Sequence, residues 1–205
     1  IDSGTNQTIT LDDTGNATVT TAALTSDSTY SLVSVTASGT LACSQNQTGS
    51  ATVTIVSLPT ATIAGTTTIC SGSTTTITFT GTPNAIVTYT VDSGAGQTIT
   101  LDASGTATVT TPALTSDSTY TLVSVASAGT LSCSQVQTGT AVVTVISLPT
   151  ATISGATTIC SGSTATISFT GTPNAIVTYT VDSGANQTVT LDATGNASIT
   201  TPALT

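Results

Sequence analysis

The sequence predicts an all-β chain made of tandem sandwich modules, and three observations lead there. Thr makes up roughly a quarter of the 205 residues, with Ser, Val, Ala and Gly filling most of the rest, whereas Glu, Lys and Arg are absent. That composition favours strands and lacks the residues from which exposed helices are built. Apolar side chains alternate with Thr over short runs such as Thr76-Ile77-Thr78-Phe79, and Gly, Pro, Asn and Asp punctuate the runs. The chain also matches itself at a shift of about 90 residues.

The repeat sets the domain organisation. Leu58-Pro59-Thr60-Ala61-Thr62-Ile63 returns as Leu148-Pro149-Thr150-Ala151-Thr152-Ile153, and from these two starts 48 of 58 paired positions are identical. One complete module is therefore expected over 58–147. The C-terminal part of another should occupy 1–57, and the N-terminal part of a third 148–205. Ile1 aligns with Val91 and Thr205 with Thr115, both in mid-module, so the natural polypeptide is expected to continue in both directions. A partial sandwich leaves its core open, so each terminal part needs strands from residues outside the sequence or from a neighbouring chain.

Within the complete module the elements follow in order. The first strand lies near Pro59 to Ile63. The second, Thr74 to Thr80, places Thr75, Ile77 and Phe79 on one face, and Gly81-Thr82-Pro83-Asn84 turns the chain. The third, Ala85 to Val91, sends Ala85, Val87, Tyr89 and Val91 inward. Asp92-Ser93-Gly94 turns again, and Gln97 to Leu101 follows with Ile99 and Leu101 inward. After the turn Asp102-Ala103-Ser104-Gly105 come Thr106 to Thr111, with Ala107 and Val109 inward, and Thr119 to Val125, carrying Tyr120 and Leu122. The last strand, about Gly139 to Val145, points Ala141, Val143 and Val145 inward. Seven strands in about 90 residues give the size and count of an immunoglobulin-like β-sandwich, with Tyr120 placed as a tyrosine corner.

Each module carries one Cys before the second strand and one before the last: Cys70 and Cys133 in the complete module, Cys43 and Cys160 in the flanks. No His accompanies them and no CxxC spacing occurs, so disulfides in an oxidising compartment are expected rather than a metal site. The expected bond joins Cys70 to Cys133, with Cys43 and Cys160 taking partners outside the chain. It requires the stretch from Ala126 to Gly139 to fold back along the sandwich, since a bond needs Cα atoms within about 7 Å. The alternative is bonding between successive modules.

The charge balance excludes several functions. With no cation and a net charge of −9, the chain repels nucleic acid and anionic membrane surfaces. No apolar run of about 18 residues is present to cross a membrane, and the first residues do not resemble a signal peptide. Without His, Lys or Glu, a Ser or Thr nucleophile has only Asp as a base, and a Walker-type loop has no Lys, so no enzyme activity and no cofactor are expected. The triplet Asp13-Thr14-Gly15 has the letters of an aspartic protease motif, but the repeats at that point read Ala103-Ser104-Gly105 and Ala193-Thr194-Gly195. It is a hairpin turn.

Asp92, Asp102 and Asp117 are weak calcium candidates, because hard cations want clustered oxygens, yet Asp in a turn also caps its own backbone. The Thr-x-Thr triplets have the look of ice-ordering ranks, but twisted strands do not make a flat lattice, and solvent-facing strand Thr is the reading adopted. The Asn-x-Ser/Thr triplets at Asn6, Asn16, Asn46, Asn186 and Asn196 arise by chance in so Thr-rich a chain.

The string Pro-Thr-Ala-Thr-Ile, then Ile-Cys-Ser-Gly-Ser, then Thr-Tyr-Thr-Leu-Val and a late Cys resembles the immunoglobulin-like repeats of Bacteroidota surface proteins over the whole chain. It is similar above all to giant repeat adhesins exported by the type IX system and used in gliding motility. The resemblance implies an extracellular, cell-surface location and O-glycosylation at Asp followed by Ser or Thr, making Ser28 and Ser118 candidate acceptors. The expected function is a stalk or spacer whose partners are neighbouring modules and whose surface ligand binds a distal region. The alternative is a self-assembling extracellular fibre completed by strand exchange.

Overall fold

The computed structural model describes residues 4–129 and 131–203. Residues 1–3, 130, 204 and 205 lie outside the described residues, and with them Ile1 and Thr205, on which the mid-module alignment of the chain ends rests. The chain is all-β, with no helix among the described residues. Its first strands are β1 (Ser28–Ser31), β2 (Ser34–Thr36), β3 (Ser44–Asn46) and β4 (Ser50–Val53). The central stretch contributes β5 (Ala61–Ala64), β6 (Thr67–Cys70), β7 (Thr76–Gly81), β8 (Ile86–Val91), β9 (Gln97–Thr100), β10 (Thr106–Thr110), β11 (Ser118–Ala126), β12 (Ser134–Val136) and β13 (Thr140–Ile146). Then come β14 (Ala151–Ser154), β15 (Thr166–Gly171), β16 (Ile176–Tyr179), β17 (Gln187–Thr190) and β18 (Asn196–Thr200).

The central stretch is sandwich-like. One sheet has the order β10-β7-β5, and the other has the order β6-β13-β11-β8-β9, with β12 also paired to β11. All pairings are antiparallel except β6 with β13, which run parallel with Val143 opposite Thr67. Period-two alternation decides which side chains go inward. Ile77 and Phe79 of β7, Val87 and Tyr89 of β8, Tyr120, Leu122 and Val125 of β11, and Ala141 and Val143 of β13 form one buried cluster, with Ala61, Ala85 and Leu101. Phe79 and Tyr89 meet across the sheets with ring centroids 4.9 Å apart. Each large apolar side chain sealed here contributes roughly 1.5–3 kcal/mol, and the intervening Thr residues face outward or sit at the edges.

The seven expected strands are present within a residue or two of their anticipated limits, and β6 and β12 are added to them. Thr67–Cys70 carries a single large apolar residue, Ile69, and its partner lies some 75 residues away, so no local pattern announces it. The chain passes from the first sheet at β5 to the second at β6 over the two residues Gly65 and Thr66, and the Thr66 hydroxyl accepts the Val142 N–H at 3.2 Å.

The flanking stretches reproduce the central register at an offset of 90. Ser28 pairs with Val53 as Ser118 pairs with Val143, and Ala151 pairs with Gly171 as Ala61 pairs with Gly81. What differs is what lies beside them. No strand corresponding to β6 forms at residues 157–160, and β16 stops at Tyr179 where β8 runs on to Val91. In the central stretch those extra residues are held by β13 and β11. At Asp12–Asn16 the local turn persists although residues 4–27 hold no strand: Asp12 Oδ1 accepts N–H groups from Thr14 and Asn16, both at 2.9 Å. Those local hydrogen bonds need no neighbouring strand.

Candidate functional site

The three candidate carboxylates are held by the chain itself. Asp102, in the turn after β9, accepts at Oδ1 from the Ser104 N–H at 2.8 Å, the Ser104 hydroxyl at 2.6 Å and the Thr106 N–H at 3.0 Å. These donors, the Ser104 hydroxyl first and the Thr106 N–H next, hold its carboxyl below the ordinary carboxylate range. Asp92, after β8, accepts the Thr119 N–H at 2.7 Å and the Ser118 hydroxyl at 3.0 Å. Asp117, before β11, accepts the Val145 N–H at 2.7 Å and so pins β13. Asp102 stands at the pole of the sandwich that includes Asn84, whose N–H donates to its carbonyl, whereas Asp92 and Asp117 stand at the other. Among the described residues no three His, Cys, Asp or Glu side chains gather as a metal would require.

Ser118, a candidate glycan acceptor, is buried at 4 % exposure, and Ser28, its counterpart, at 3 %. The Ser118 hydroxyl points to Asp92, so a glycan there demands that the hydroxyl leave the carboxylate and the side chain leave the fold. Sequence alone does not reveal this, because a Ser after Asp at a turn normally lies in water. The same network supplies the pin missed in the sequence: Asp27 holds the Ile55 N–H at 2.7 Å as Asp117 holds that of Val145. The recurrence of Ser-Asp-Ser-Thr at 26–29 and 116–119 is the signal that could have found it.

Cys43, Cys70, Cys133 and Cys160 are all free thiols. The expected joining of Cys70 to Cys133 is not formed, and the register gives the reason. Cys70 ends β6 opposite Ile146, beyond the Ser118 to Val143 pair, whereas Cys133 adjoins Ser134, which pairs with Ala126. The length of β11 separates them, about 26 Å at roughly 3.3 Å per residue, against the 7 Å reach of a disulfide. Cys133 is instead held at the far pole, where its carbonyl accepts the Ser127 N–H at 2.9 Å.

Two depressions lie on the C-terminal stretch. One, about 260 Å³, is an open groove along β15 and β18 beside Asp192 and Asn196. The other, about 140 Å³, lies between Ile153, Phe169, Val177 and Tyr179. These four correspond to Ile63, Phe79, Val87 and Tyr89 of the central stretch, which enclose core there. No protein-family model matches the chain, and no curated protein matches it.

Proposed function

We propose that this chain is a structural segment of a serial array of immunoglobulin-like β-sandwich modules, serving as the stalk or spacer of an extracellular, cell-surface adhesin. The observation that carries the reading is that residues 61–146 close one core with strands from both sheets while the same pairing register recurs 90 residues to either side. A repeated self-closing module sets length and stiffness by its number, and neighbouring modules need only a short connection such as 147–150. The carboxylates of Asp92, Asp102 and Asp117 and the hydroxyls of Ser104 and Ser118 are engaged in holding turns and strand ends. Adhesive specificity then resides in a distal region, and the resemblance to Bacteroidota repeat adhesins supports a role in surface attachment and gliding.

Stretching single molecules tests the spacer role. The central module should resist and then rupture in one cooperative event, releasing on the order of 300 Å of contour, about 90 residues at roughly 3.3–3.6 Å each. Extension with no force peak would overturn the reading, as would direct binding of the purified chain to cell surfaces or glycans.

A further inference from the structure

We infer that the parallel pair β6 and β13 is the mechanical clamp of the central module, the contact that must shear before tension along the chain can open it. This rests on the reading of the chain as a load-bearing spacer and adds where the load is borne.

The chain enters the central stretch at the pole of Asn84 and Asp102, where Ala61 pairs with Gly81 and the Thr60 carbonyl accepts the Thr82 N–H at 2.9 Å. It leaves at the pole of Asp92 and Asp117, where Val143 pairs with Ser118 and Asp117 holds the Val145 N–H. Tension therefore draws β5 and β6 toward the first pole and β13 toward the second. β6 and β13 run side by side in the same direction, from Thr67 opposite Val143 to Cys70 opposite Ile146. Parallel strands drawn toward opposite poles slide along their own axes, so the evenly spaced bonds between them are strained together.

Both ends of this ladder are fastened. At one end the Thr66 hydroxyl accepts the Val142 N–H at 3.2 Å, and at the other the Ser71 N–H donates to the Ile146 carbonyl at 2.8 Å. Only Gly65 and Thr66 lie between β5 and β6, so pulling on β5 reaches β6 without slack. Once β6 leaves β13, the load passes to β7 at Thr76, its end at the second pole. A strand drawn back from that end peels from β10 one pair at a time, beginning where Thr76 faces Thr110. Bonds broken singly resist far less than bonds strained together. The buried cluster sets how stable the module is at rest, but forced opening follows the height of the barrier and so the contacts that lie along the pull.

Ser71 allows the two to be separated. It is the second residue of the turn Cys70–Ser73, closed by the Ser73 N–H on the Cys70 carbonyl at 3.0 Å, with Gly72 at φ +83° as in a type II turn. Pro suits that second position. Ser71→Pro thus deletes the N–H that fastens Ile146 and keeps the turn, and Thr66→Ala unfastens the other end at an exposed residue.

The test stretches single molecules of the full 205-residue chain as wild type, as the double variant Thr66→Ala/Ser71→Pro, and as Leu122→Ala, with urea denaturation of each alongside. The double variant should lose roughly a fifth to a third of the wild-type rupture force, in line with the cross-links removed, while its urea midpoint stays close to that of the wild type. Leu122→Ala, which hollows the core at a residue 2 % exposed, should do the reverse, with a lower urea midpoint and an unchanged rupture force. A double variant that ruptures at the wild-type force would overturn the inference, as would force and urea midpoint falling together in both variants. Either result leaves the spacer role standing, whereas a wild type with no force peak would overturn both.

Discussion

The Ser118 hydroxyl donates to the Asp92 carboxylate at 3.0 Å, and the other oxygen of that carboxylate takes the Thr119 N–H at 2.7 Å. One side chain in the turn after β8 thus holds the start of β11, the strand paired with three others. Removing Ser118 as Ser118→Ala deletes one charge-assisted bond and should cost about 1–2 kcal/mol. Asp92→Ala also strands a backbone N–H and should cost about 2–3 kcal/mol. Urea denaturation followed by tyrosine fluorescence would give both values.

Gly105 and Gly72 have nearly the same backbone angle, φ +79° and +83°, but different surroundings. A Cβ on Gly72 meets nothing within 4 Å, whereas one on Gly105 would run into the carbonyl oxygen of Gly81, whose own N–H donates to the Gly105 carbonyl at 2.8 Å. Gly72→Ala should therefore cost about 1 kcal/mol, the left-handed backbone alone. Gly105→Ala should cost about 2–4 kcal/mol, because the β10 end of the first sheet must shift. Thermal melts of the two variants compare them directly.

Stability should be flat from about pH 5 to pH 7, because no His is present to titrate there. Below it, Asp102 is depressed in the folded chain by the Ser104 hydroxyl and the Thr106 N–H. Its contribution is present above the unfolded value of about 3.9 and is lost as pH falls through the lower folded value. The effect is small, since the carboxylate is exposed. At the alkaline side, burial raises the phenols of Tyr89 and Tyr120. Their contribution is present below about pH 10 and is lost as pH rises through the higher folded values. Denaturation midpoints measured from pH 2 to pH 12 should trace a plateau with two falling edges, the alkaline one steeper.

Leu122 and Leu32 hold the same position in the repeat, 90 residues apart, with exposures of 2 % and 55 %. Leu122→Ala should cost about 2–5 kcal/mol, as a fully buried Leu does. Leu32→Ala in dilute solution should change stability by less than about 0.5 kcal/mol. Paired chemical denaturation curves distinguish them.

Much of this fold was legible because its signals are local and periodic. Ile77 with Phe79 and Val87 with Tyr89 alternate with Thr78 and Thr88, Ala141 and Val143 flank the exposed Val142, and each pair is buried as the alternation requires. β6 escaped notice because its parallel partner is remote and only Ile69 marks it. Ser118 read as an accessible acceptor because a single sequence cannot show that a distant carboxylate receives its hydroxyl. The expected bond between Cys70 and Cys133 required the stretch from Ala126 to Gly139 to fold back along the sandwich, and the strand register instead sets the two cysteines at opposite ends of β11.

Hydrogen exchange of the dilute, monomeric chain tests most directly whether the central module alone closes its core. Amides of β7, β8, β11 and β13 should exchange slowly through one common opening, while the nearly identical sequences of β15, β16, β1 and β4 exchange much faster. Equal protection of all three stretches in a monomer, or fast exchange throughout 61–146, would contradict the account.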